Sequence, residues 1–133
     1  MRILLDTNVI IAAFISRGVC HQLLEHCITH HELVTSEFVL DEVREKLVQK
    51  FKYPPEVAAE VAMLLRSRME VVTPAPLAEQ VCRDADDDNI LAAAVAGNCG
   101  CVVTGDKALL TLSQFQGVDI FSPADFQMRE SSG

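Results

Sequence analysis

Carboxylates are the residues in this chain whose types and spacing could do chemistry. Asp6 closes the apolar run RILLD (2–6), and Glu42 stands in the segment after ELVTS (32–36). Asp106 follows CVVT after one glycine. The stretch RDADDDNILAAAVAG (83–97) sets four aspartates, Asp84, Asp86, Asp87 and Asp88, ahead of an alanine-rich run. One or two acids at a helix start are ordinary, because Asp caps free N–H groups and suits the positive end of the helix dipole. Four ask for a further reason. Two unit charges about 5 Å apart at an effective dielectric near 20 repel by roughly 3 kcal/mol. Such a cluster is either partly protonated or compensated by a cation. An all-oxygen donor set suits Mg²⁺ or Mn²⁺. Either ion can activate water and shield a phosphate's charge, so phosphodiester hydrolysis is the chemistry implied. Each acid also has a plainer reading: Asp6 and Asp106 as helix caps, Glu42 on a solvated face beside Glu45, and Asp88 as first-turn decoration.

The elements that must position these acids are legible from periodicity and punctuation. RILLD, ELVTS, EVVTP (70–74, closed by Pro74) and VDIF (118–121) read as short apolar strands, and CVVTGD (101–106) as a strand followed by a turn. Helical segments are predicted over 7–16, 19–29, 37–51, 55–68, 86–97 and 106–113, with a last turn of helix from Pro123. Ser36 is a candidate N-cap, and Gly97 a candidate C-terminal cap. Strands alternating with helices predict a parallel sheet of four to five short strands with helices on both faces, a three-layer α/β fold. In such sheets sites form beyond the carboxyl ends of the strands. Asp6, Glu42, the aspartate cluster and Asp106 all belong to that edge. A single domain over 1–128 and a frayed tail over 129–133 are expected.

Composition narrows the alternatives. Half of the 133 residues are apolar and the net charge is −8, with no Trp and one Tyr. That argues against general attraction to nucleic acid, yet it permits an acidic site carrying its own cations, or a basic partner chain. Arg44, Lys46, Lys50 and Lys52 could steer RNA or simply line a solvated helix face. Cys20, Cys27, Cys82, Cys99 and Cys101 are odd in number and lie in apolar segments, as expected of reduced, buried thiols in a cytoplasm. Cys99 and Cys101 lack a second Cys/His pair at zinc spacing, and His30 and His31 read as solvated surface residues. No apolar run is long enough to span a membrane, and there is no signal-peptide pattern. A Gly-rich phosphate loop is absent too, so Rossmann and P-loop chemistry find no support.

Four pieces in order, LLDTNVIIAA (4–13), VTSEFVLDEV (34–43), DDDNILAAA (86–94) and VTGDKALL (103–110), resemble the PIN-domain nucleases. The short single-domain form looks like the VapC-like toxins of prokaryotic toxin–antitoxin pairs. The resemblance covers the chain to about Phe126. It implies a PIN-like fold and a Mg²⁺- or Mn²⁺-dependent endoribonuclease. Its metal-holding and catalytic acids would be Asp6, Glu42, Asp88 and Asp106. Thr7, Asn8, Ser36 and Thr104 would orient the site, and Asp84 would serve as an added ligand or a cap. Periodicity leaves Asp87 and Asp88 open, since Asp87 shares a helix face with Ile90, Leu91 and Ala94, and Asp88 with Leu91, Ala92 and Val95. The resemblance favours Asp88. It further implies an RNA substrate, an antitoxin protein partner and a homodimer. The alternative is a catalytically degenerate binding or scaffold module. A phosphatase of the haloacid dehalogenase type would need an acid where Asn8 stands.

Overall fold

Ile3, Leu4 and Leu5 are all buried, so the first strand, β1 (Arg2–Leu5), has no solvent face. Continuous burial of this kind belongs to a parallel strand covered on both sides. The computed structural model describes residues 1–132 and bears this out. After β1 come α1 (Thr7–Ile15), α2 (Val19–His30), β2 (Glu32–Ser36), α3 (Glu37–Gln49), α4 (Pro55–Arg68) and β3 (Glu70–Val72). The second half holds α5 (Ala85–Ala96), β4 (Cys101–Val103), α6 (Lys107–Leu112), β5 (Gln114–Phe115), β6 (Val118–Phe121) and α7 (Pro123–Ser132).

The sheet order is β3-β2-β1-β4-β6-β5, parallel except for β5. From β1 the chain steps to β2 and β3 on one side; after β3 it crosses to β4 on the other side of β1. Right-handed crossovers therefore put α1–α4 on one face and α5 on the opposite face. The reversal of strand order falls between β1 and β4. Beyond their carboxyl ends lies the crevice where such sheets hold their sites.

Local chemistry sets the helix ends. Pro55 opens α4 at a position where its missing N–H costs nothing. The Ser36 hydroxyl, buried at the end of β2, accepts from Val39 N at 3.3 Å and caps α3. Ser36→Ala is expected to lower stability by about 1 kcal/mol, read from denaturant titration. At Gly97, the end of α5, a Cβ would meet Val34 Cγ1 at 2.6 Å, so glycine lets α5 close onto β2. On the edge away from the crevice, Arg2 donates to Gly97 O, Glu32 and Glu70, tying α5, β2 and β3 to β1.

Three expectations need correction. The sheet has six strands rather than four or five, because Gln116 and Gly117, both at positive φ, make a two-residue turn that pairs Phe115 with Val118. Residues 129–132 do not fray: α7 runs through Ser132, anchored by Phe126 at 2% exposure, and only Gly133 lies outside the described residues. His31 is not a solvated residue, its side chain being 13% exposed. No single helix among the described residues is long and apolar enough to cross a membrane.

Candidate active site

Asp6 sits where β1 hands over to α1, and its backbone N–H still pairs with Val103 O across to β4. It occupies the N-cap position of α1, yet its side chain makes no capping hydrogen bond. Instead Oδ2 accepts from the Thr104 hydroxyl at 2.7 Å in a buried contact. Burial pushes the Asp6 pKa up; the Thr104 hydrogen bond and a backbone hydrogen bond from Thr7 pull it down, and the charge of Asp106 adds to the rise. Capping is therefore not what this buried carboxylate does.

Thr104 works in two directions. Its hydroxyl also accepts from Asp106 N at 3.0 Å, which fixes the turn after β4. The Asp106 carboxylate caps α6, its Oδ1 accepting from Ala108 N at 2.8 Å and from Leu109 N at 3.4 Å. Glu42, part-buried in the second turn of α3, accepts from Thr7 Oγ1 at 2.7 Å. Burial raises its pKa, the Thr7 hydrogen bond and Lys46 lower it, and Asp86 and Asp6 raise it again.

The aspartate cluster divides its labour. Asp84 caps α5 by accepting from Asp86 N at 2.9 Å. Asp88 is occupied by the preceding backbone: Oδ1 accepts from Cys82 N at 2.7 Å and Oδ2 from Val81 N at 3.1 Å. Asp87, 7% exposed, is the member that faces the crevice, with its carboxyl within hydrogen-bonding reach of that of Asp106. Burial, followed by the charges of Asp106, Asp84 and Asp6, pushes its pKa up to about 6. The acid that the structure places with Asp6 and Asp106 is thus Asp87, where periodicity leaves the two open and the resemblance favours Asp88. The physical reason is packing. Ile90, Leu91 and Ala94, which share the face of Asp87, are buried to 2% or less, whereas Val95 on the face of Asp88 is only half-buried. The more deeply buried stripe carries Asp87 inward.

Of the other polar residues singled out, Thr7 and Thr104 each hold a site carboxylate, Ser36 caps α3, and exposed Asn8 accepts from Lys46 Nζ at 3.3 Å. The Lys46 ammonium, held beside Asn8, lowers the pKa of both Asp6 and Glu42. Arg44 pairs with Asp41, Lys50 lies over the Phe51 ring, and Lys52 donates to Gln49 O. The N-termini of α1, α5 and α6 approach the same rim and soften the repulsion among the acids. What remains is a rim of four carboxylates, Asp6, Glu42, Asp87 and Asp106; burial, with mutual repulsion behind it, raises the pKa of Asp6, Glu42 and Asp87. Its oxygen-only donors fit a hard divalent cation.

The comparisons with known proteins agree with this architecture. VapBC-1 from nontypeable Haemophilus influenzae superposes with a TM-score of 0.67 at 17% identity, covering 93% of this chain and 99% of that one. VapBC2 from Rickettsia felis, bound to a DNA fragment from its promoter, gives 0.65 at 18% identity, covering 92% and 98%. VapC20 from Mycobacterium tuberculosis, a Sarcin-Ricin loop cleaving toxin, gives 0.59 at 17% identity, covering 88% and 98%. At these identities the likeness is one of fold. No curated protein matches the chain in sequence. The PIN-domain family does match, over residues 2–108. With that match spanning most of its length, the chain belongs to the PIN-domain family.

Proposed function

We propose that this protein is a Mg²⁺- or Mn²⁺-dependent endoribonuclease and the toxin of a toxin–antitoxin pair. The observation that carries the reading is the convergence of Asp6, Glu42, Asp87 and Asp106 on one crevice, with Asp6 and Asp87 buried and their pKa values raised. Asp6, Asp87 and Asp106 would hold the ion, with Glu42 at its edge. Once bound, the ion would neutralise charge on the scissile phosphate and acidify a water. Thr104 fixes the Asp6 carboxylate, and Thr7 fixes one oxygen of Glu42. Glu42 Oε2 is thereby free to take the proton of the attacking water, a task suited to a carboxylate whose pKa is raised. Lys46, at the mouth, would meet the phosphate backbone.

The partner reading rests on surface chemistry and on the company of the fold. Two of the similar structures are VapBC assemblies. A cavity of about 760 Å³ runs between α1–α2 and α4, with Phe14, Ile15, Ile28 and Leu64 in its walls beside the charged Arg17, Glu25 and Arg68. It suits an apolar segment of an antitoxin, whose basic residues the −8 charge would attract. Five free cysteines, four of them buried, fit a reducing cytoplasm. We also propose a homodimer, which light scattering reads directly.

The test is cleavage of a mixed-sequence single-stranded RNA with Mn²⁺ or Mg²⁺, then with EDTA, in wild type and Asp6→Asn. Cleavage that needs the ion and is lost in the variant is the expected result. Absence of both cleavage and Mn²⁺ binding would replace the reading with a degenerate binding module.

A further inference from the structure

The edge of the sheet opposite the acidic crevice carries a second cluster of ligand-type side chains. His26 lies in the last turns of α2, His31 is the residue between α2 and β2, and Glu130 lies on α7. Phe126, buried one turn before Glu130, seats α7 against α2 and edges onto the His31 ring at 6.2 Å between centroids. Residues four apart share a helix face, so the packing of Phe126 aims Glu130 at the two histidines. His26 Nε2 stands 2.8 Å from Glu130 Oε1, and His31 Nε2 contacts the same oxygen. His31 Nδ1 faces the α-amino group of Met1 instead, so its Nε2 is the inward nitrogen.

The ligand atoms of all three residues lie within 4.8 Å of one another, a spacing that the acids of the crevice do not reach among the described residues. Side-chain exposures of 41%, 13% and 24% for His26, His31 and Glu130 describe a part-sheltered site. A cavity of about 400 Å³, with Gln22 and Gln127 in its walls, opens beside His26 and Glu130. Two imidazoles and one carboxylate with an open side are the donor set of zinc, not of Mg²⁺, which prefers oxygen and keeps its waters.

We propose that His26, His31 and Glu130 form a second metal site, selective for Zn²⁺-class ions, that fastens α7 to α2 on the edge opposite the acidic crevice. The two sites share no residue and take ions of different chemistry. Water or a small ligand from the neighbouring cavity completes the coordination. Because ligands come from α2, the α2–β2 junction and α7, the bound ion would join the C-terminal helix to the body of the domain.

The probe is Co²⁺, whose visible bands are intense in four-coordinate nitrogen and oxygen sites and weak in six-coordinate oxygen sites. The metal-free full chain should give intense bands with one equivalent of Co²⁺, displaced by Zn²⁺ and unchanged in Asp6→Asn. Both Glu130→Gln and His26→Gln should weaken binding more than the roughly 10–100-fold that follows loss of a supporting residue around a metal. His26 is the more exposed histidine, so its variant keeps the test valid if another misfolds, with circular dichroism as the check. In wild type, Zn²⁺ should also slow amide exchange in α7. Bands that persist in both variants, thiolate charge-transfer absorption, or the absence of intense bands would each overturn the site and leave a hydrogen-bonded His–Glu–His trio.

Discussion

Asp87→Asn is expected to abolish ion-dependent RNA cleavage, whereas Asp88→Asn is expected to keep it within a few-fold of wild type. The two residues are adjacent in sequence and equal in charge, so bulk electrostatics cannot separate them. Their partners can. Asp87 is buried near Asp106 and shares the field of Asp6, whereas both oxygens of Asp88 are taken up by Val81 N and Cys82 N. Losing a residue that only supports a metal ligand costs about 10–100-fold, so losing a ligand should cost more. Asp88→Asn instead loses one of two backbone hydrogen bonds and about 1 kcal/mol of stability. Initial cleavage rates at fixed Mn²⁺, with melting curves for both variants, check the pair. Loss of activity in Asp88→Asn with activity kept in Asp87→Asn would reverse the assignment.

The metal-free protein should become less stable as pH rises from about 5 to about 7.5, and saturating Mn²⁺ should reverse that trend. Asp87 goes from 3.8 to about 6, and Asp6 and Glu42 are also raised, chiefly by burial. A carboxyl with a higher pKa in the folded chain holds its proton more tightly there. Its contribution is full below the ordinary value near 4 and is lost as pH rises through about 6. For Asp87 this is on the order of 1–2 kcal/mol once solvent screening is allowed for. Glu37, held down by Arg66, and Glu130, held down by His31 and His26, act with the opposite sign, but below their ordinary value of 4.5 and outside this window. Mn²⁺ at a hundred times its Kd should add about 2.7 kcal/mol, on the order of 10 °C in melting temperature. Asp87→Asn should be more stable than wild type without the ion and gain far less from it. Thermal melts across pH, with and without Mn²⁺, read both effects. A metal-free protein that gains stability toward neutral pH would contradict the account.

Much of this architecture was legible because short apolar strands and capped helices leave strong local signals. RILLD, ELVTS and VDIF are strands for the reason they are buried, and Pro55 and Gly97 bound their helices through their own backbone chemistry. Strand-end logic was enough to place Asp6, Glu42 and Asp106 on one rim. The choice between Asp87 and Asp88 was not open to that logic, because it depends on which side of α5 meets the sheet. The signal is present all the same: the Ile90–Leu91–Ala94 stripe carries Ile where the Leu91–Ala92–Val95 stripe carries Val, and it packs deeper. The β5–β6 turn is hard to read from sequence because Gln-Gly is a weaker hairpin signal than Asn-Gly. The His26–His31–Glu130 cluster was invisible for another reason. Its parts lie about a hundred residues apart, and only the docking of α7 through Phe126 brings them together.

The central claim is that Asp6, Glu42, Asp87 and Asp106 together make a divalent-ion site. The most direct measurement is Mn²⁺ binding to the metal-free protein by electron paramagnetic resonance, in wild type, Asp87→Asn and Asp88→Asn. The account predicts binding in wild type and in Asp88→Asn and its loss in Asp87→Asn. Equal binding by all three proteins, or none by wild type, would contradict it.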